Sequence, residues 1–170
     1  MAYISRTYRL LLELCGIVAG LLIGGLAIMV AVDVLIRDTG AGSLPWVLEV
    51  AEYILYISTF LAAPWVLAQN AHVRVDVFVN LLGPEGSRVA DAAVNVVGLA
   101  ISLVMLYFGF TAAFDAYRIG SLIFKELIVP EWWLLSVIPF SAALLSAEFC
   151  LRVARARAPA PREAFTRDGL

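Results

Sequence analysis

The densest run of side chains able to carry charge or hydrogen-bond is Gln69-Asn70-Ala71-His72-Val73-Arg74-Val75-Asp76. Arg74 can pair with Asp76 or with a lipid phosphate, and His72 can hydrogen-bond at an interface. On residue chemistry alone the run also fits a cationic anchor beside a membrane. It offers less to catalysis. The chain has one histidine, so haem held between two axial histidines of this chain is excluded. No paired Cys/His ligands, no glycine-rich phosphate loop after a strand and no nucleophile elbow occur. Cys15 and Cys150 lie in apolar stretches and read as small buried hydrophobes. The expectation is therefore no enzyme, no cofactor and no metal centre. A net charge of -2 gives no sign of a nucleic-acid partner.

The remaining candidates for chemistry are carboxylates near apolar runs: Glu13, Asp33, Glu49, Glu52, Asp115 and Glu148. Each is costly in lipid and must face protein, water or headgroups. Most lie within about two turns of the end of an apolar run. A proton or ion path through this chain alone would want carboxylates at mid-membrane, and these six avoid it.

These residues are positioned by apolar segments. Of the 170 residues, 62% are hydrophobic and 15% charged, with a mean hydropathy of +0.92. A soluble domain carries roughly 25% charge, so most of this surface must face lipid. Four segments reach the roughly 20 apolar residues that a spanning helix needs: about 10–36, 44–68, 89–116 and 130–153. Helices satisfy their own backbone in hydrocarbon, so the predicted fold is all-α, a bundle of four transmembrane helices forming one domain over 1–153. The first run is too long for the apolar part of a signal peptide. Residues 154–170, rich in Ala, Pro and Arg, read as a basic disordered tail. Pro130 is expected at the start of the fourth span, and Pro64 and Pro139 are expected to kink the second and fourth.

Orientation follows from Lys and Arg. With the N-terminus cytoplasmic, Arg6, Arg9, Arg74, Arg88, Arg152, Arg155, Arg157, Arg162 and Arg167 lie inside, and Arg37, Arg118 and Lys125 outside. Nine against three predicts that both termini are cytoplasmic. Trp46, Trp132 and Trp133 would then form an aromatic belt of interfacial anchors on the outer side. Between the second and third spans, Val75, Phe78, Val79 and Leu82 make a helical stripe, which predicts a short interfacial amphipathic helix. Gly16, Gly20 and Gly24 recur at four-residue spacing, continued by Ala27 and Ala31. Such a face lets a helix approach closely, either from a partner chain or from within the bundle.

The stretch from Trp46 to Asp76 resembles the small membrane subunit of tripartite ATP-independent periplasmic (TRAP) transporters. The likeness rests on Trp46, Glu49, Tyr53 and Phe60, followed by His72-Val73-Arg74-Val75-Asp76. Lys125-Glu126-Leu127, Pro130, Trp132 and Ile138-Pro139 are similar to the family's last loop and fourth span. The chain departs from the family at Glu52, Ile57 and Ala62, where many members carry a basic residue, Trp and Gly. The resemblance implies a non-catalytic helper in the bacterial inner membrane. It would pack beside a large membrane subunit that holds the substrate and ion sites. A periplasmic binding protein would deliver an organic anion, commonly a carboxylate, and His72, Arg74, Asp76, Trp46 and Glu49 would serve assembly. Two alternatives stay open on the residues alone: a self-sufficient small transporter working as a homo-oligomer, and a membrane anchor of a redox complex.

Overall fold

The computed structural model describes residues 2–40, 42, 44–69 and 83–157. Four long helices dominate: α1 (Ala2–Asp38), α2 (Pro45–Ala68), α3 (Gly83–Ile119) and α4 (Glu131–Arg157). All four are long and apolar enough to cross a bilayer. α2 matches its expected span, α1 and α3 extend beyond theirs at both ends, and α4 runs four residues further at its C-terminal end. The predicted interfacial helix and most of the basic tail lie outside the described residues.

One element was not expected. β1 (Leu122–Phe124) and β2 (Ile128–Pro130) form an antiparallel hairpin between α3 and α4. Leu122 stands opposite Pro130, Ile123 opposite Val129 and Phe124 opposite Ile128. α3 stops at Gly120, which takes a positive φ of 69°. Gly120 N–H donates to the Tyr117 carbonyl at 3.3 Å, and Ser121 N–H reaches back to that of Ala116 at 3.1 Å. This pair of bonds is a Schellman ending with glycine at its left-handed position. The β-branched Ile123, Ile128 and Val129 then favour an extended chain. Pro130 closes β2 instead of opening the last helix, which starts one residue later at Glu131.

α2 and α4 pack together at the centre, with α1 laid along α2 and α3 along α4. α1 buries Leu12, Cys15, Ala19, Leu26 and Asp33, a stripe at intervals of three, four and seven residues. Glycines make the close approaches. A Cβ on Gly16 would lie 2.5 Å from the Trp65 ring of α2, one on Gly98 would enter the Phe149 ring of α4, and one on Gly109 would lie 2.8 Å from Ile138. Between lipid-surrounded helices the hydrophobic effect gives little preference for association, so packing of this kind and hydrogen bonds must hold them.

One such bond repairs a defect. Pro64 lies inside α2 and has no N–H, so the Phe60 carbonyl loses its helical donor. The Ser141 hydroxyl of α4, fully buried, donates to that carbonyl at 2.5 Å. Ser146 similarly links its hydroxyl to that of Ser102 on α3 at 3.1 Å. Ser58 is different: its buried hydroxyl has no hydrogen-bond partner. Ser141→Ala is therefore expected to cost about 1 kcal/mol in unfolding measured in bicelles. In a Pro64→Ala background, where residue 64 regains its N–H, the cost should shrink towards zero. Ser58→Ala should leave stability unchanged or raise it.

Candidate functional site

The polar side chains gather at the two ends of the bundle. At the end carrying the hairpin, Glu49 sits in the second turn of α2, almost fully buried. One carboxylate oxygen accepts the Tyr53 hydroxyl at 2.5 Å. The other accepts the backbone N–H of Leu127 at 2.9 Å. Glu49 thus holds the tip of the hairpin onto α2. Lys125 completes the clamp by pairing with Glu52 at 2.6 Å, with its ammonium 6.0 Å from the centre of the Tyr53 ring. The hydrogen bond that its ammonium donates to the Glu52 carboxylate holds the Lys125 pKa above the usual lysine value. The resulting stability is complete below about pH 10.4, the ordinary lysine range, and is lost only as pH rises through the higher folded value. Lys125 is therefore charged at neutral pH.

The same end has two further ties. Asp33 of α1, buried, pairs with Arg37 one turn on at 2.5 Å and accepts the Leu44 N–H at 3.0 Å. A single carboxylate thereby neutralises a cation at the end of α1 and fixes the chain entering α2. Ser121 and Glu131 bracket the hairpin: the Glu131 N–H donates to the Ser121 carbonyl at 3.1 Å, and the Ser121 hydroxyl donates to the Glu131 carboxylate.

At the opposite end Glu148 and Arg152 of α4 form a largely buried pair at 3.2 Å. Arg152 also donates to the Leu67 carbonyl in the last turn of α2, where helix carbonyls run short of donors. The Tyr8 hydroxyl of α1 donates to the Leu144 carbonyl at 3.0 Å, over a small core of Leu12, Cys15 and Leu144. Arg152 therefore fixes the end of α2 from which the His72–Asp76 run departs. His72, Arg74 and Asp76 themselves lie outside the described residues.

The other expected residues divide. Glu49 becomes the centre of the clamp, and Trp46 is exposed one turn above it. Trp132 packs edge-to-face with Tyr117 at 5.5 Å and with Trp133 at 5.9 Å, and Trp133 is exposed. All three tryptophans stand at the hairpin end. Of the glycine series, Gly16 meets Trp65 within the chain, whereas Gly20 and Gly24 face open space. Approach from within the bundle is thus realised at Gly16, while Gly20 and Gly24 stay uncovered within the chain. Sequence reasoning missed Tyr8, Ser141 and the Arg152–Leu67 bond. A proline inside a spanning helix was the available signal, because its orphaned carbonyl needs a donor from a neighbour.

Among the described residues, no three His, Cys, Asp or Glu side chains converge to hold a metal ion. The three buried carboxylates Asp33, Glu49 and Glu148 are all engaged with partners inside the chain. What this geometry defines is a four-span helical membrane protein that spends its polar groups on its own connections. The family model described as tripartite ATP-independent periplasmic transporters, DctQ component, matches residues 26–158, and the chain belongs to that family, the small membrane subunit of TRAP transporters. No curated protein matches the chain.

Glu49→Ala strands the Leu127 N–H and the Tyr53 hydroxyl, and is expected to cost about 2–3 kcal/mol. Glu52→Ala removes one partner of a half-exposed pair and should cost no more than about 1 kcal/mol. Thermal unfolding in bicelles measures both, and amide exchange at Leu127 should accelerate in the first variant only.

Proposed function

We propose that this chain is the small, non-catalytic subunit of a TRAP-type secondary transporter. It supports the large ion-coupled membrane subunit during uptake of an organic anion, a carboxylate in the simplest case, delivered by a periplasmic binding protein. It resides in the bacterial inner membrane with both termini cytoplasmic, an orientation favoured by the distribution of Lys and Arg. Besides family membership, the observation that carries this reading is the engagement of Asp33, Glu49 and Glu148 within the chain. A transporter acting alone would need such groups available to its cargo.

In this reading the open side of α1, with Gly20 and Gly24 uncovered, meets the large subunit. The His72-Val73-Arg74-Val75-Asp76 run serves assembly at the cytoplasmic surface.

Co-expression with a tagged large subunit tests the assignment. The two chains should co-purify in mild detergent, and the small chain alone in liposomes should support no substrate flux. Flux without a partner would overturn the helper role. Gly20→Leu adds a side chain where nothing stands within 4 Å in this chain, so it should leave the chain's own Tm unchanged while lowering complex yield severalfold. Gly16→Leu, which strikes Trp65, should lower the Tm itself. Equal complex yield for wild type and Gly20→Leu would remove α1 from the interface. Arg74→Ala and Asp76→Ala should reduce complex yield and leave substrate preference unaltered.

A further inference from the structure

We infer that the hairpin between α3 and α4 is a membrane-interface anchor, whose outer face of Leu122, Phe124 and Ile128 dips into the acyl-chain boundary of the bilayer. Three observations place it there. The first is depth. Glu49 and Glu52 follow Pro45 by four and seven residues, about 6 Å and 10 Å along the helix. The Leu127 N–H meets Glu49 and the Lys125 ammonium meets Glu52, so the hairpin tip lies beside the opening turns of α2 instead of standing off the bundle. The second is facing. Ile123 and Val129, opposite each other in register, are half-buried. The alternate positions Phe124 and Ile128, also paired, are 75% and 65% exposed. With the inner face on the bundle and the tip beside α2, the outer face points sideways, where Leu48 of α2 is itself 74% exposed. It therefore continues the lipid-facing surface of the spans.

The third observation sets a limit. A two-stranded hairpin has two edges of unpaired N–H and C=O groups, which hydrocarbon does not tolerate. The Lys125–Glu52 pair, about half-exposed, also requires water or headgroups. The backbone and the ion pair consequently stay at headgroup level, and only the apolar side chains reach the acyl chains. The tryptophan cluster at the same end, Trp132 with Trp133, is of the residue type that prefers this layer.

The test uses the full chain in phospholipid liposomes, with Cys15 and Cys150 replaced by alanine. Single Phe124→Cys, Ile128→Cys and Glu126→Cys variants carry an environment-sensitive fluorophore, and Leu48→Cys serves as a lipid-facing reference. Labels at 124 and 128 are expected to resemble that at 48. A nitroxide high on the acyl chain should quench them severalfold more than the label at 126, and an aqueous quencher on both sides should quench them severalfold less. Aqueous quenching of 124 and 128 equal to that of 126 would overturn the anchor. So would loss of their lipid quenching on co-reconstitution with the large subunit, which would assign this face to a protein partner. Hydroxyl-radical labelling of the unaltered chain in liposomes provides an independent reading. Phe124 modified at the rate of free phenylalanine would overturn the proposal, and strong protection would support it.

Discussion

No water competes for backbone groups inside a bilayer, so every N–H and C=O that a helix fails to satisfy must find its partner within the protein. Four contacts in this chain complete the backbone of another segment, one within a span and three at span ends. Pro64 opens a gap in α2, and Ser141 fills it from α4. The last turn of α2 presents the Leu67 carbonyl, and Arg152 reaches it from α4. The chain leaving α1 presents the Leu44 N–H, and Asp33 receives it. The hairpin presents the Leu127 N–H, and Glu49 receives that. In each case a side chain of one segment completes the backbone of another, so the same bond that removes an unpaired group also fixes how the segments dock.

The two ends solve the problem with different groups. At the hairpin end α2 begins and the strands turn, and carboxylates receive the Leu44 and Leu127 N–H groups. Arg37 and Arg118 fall in the last turns of α1 and α3 at that same end, where cations complement the carbonyl end of a helix. At the other end α2 terminates, Arg152 donates to its Leu67 carbonyl, and the Tyr8 hydroxyl adds a bond to the Leu144 carbonyl inside α4. Glu148 lies beside Arg152 at 3.2 Å and balances a cation that would be costly if buried alone. Asp33 and Glu49 are thus engaged by backbone N–H groups and Glu148 by Arg152.

Length and apolarity made the four helices legible in the sequence, because the thickness of hydrocarbon is a strict requirement. The position of the carboxylates near span ends was legible for the same reason. The hairpin was not, since three-residue strands carry too few residues for alternation to stand out, and Pro130 suits a helix start as well as a strand end. Nor could the glycine series be resolved from spacing. Gly16 and Gly20 belong to one pattern, yet Trp65 stands against the first and nothing stands against the second. Which side of a helix is covered depends on where its neighbour's large side chains fall, and that is a property of two segments at once. The partners of Glu49 were hidden likewise: Leu127 is 78 residues away and contributes a backbone group, which no side-chain motif announces.

Position 52, where the resemblance leads one to expect a basic residue, gains a physical account from this arrangement. A basic residue at 52 would face the Lys125 ammonium, which stands 2.6 Å from the Glu52 carboxylate. Like charges at that separation would push the hairpin tip off α2 and strain the neighbouring Glu49–Leu127 bond. Glu52 and Lys125 are therefore a matched pair within this sequence, and the substitution at one position is intelligible only with the other. The half-exposed pair itself contributes little to stability; its effect is on direction, since it holds the loop against α2 while the buried Glu49 supplies the stronger tie. Anchoring of the α3–α4 connection thus rests on the buried Glu49 carboxylate and on the half-exposed pair of Glu52 with Lys125.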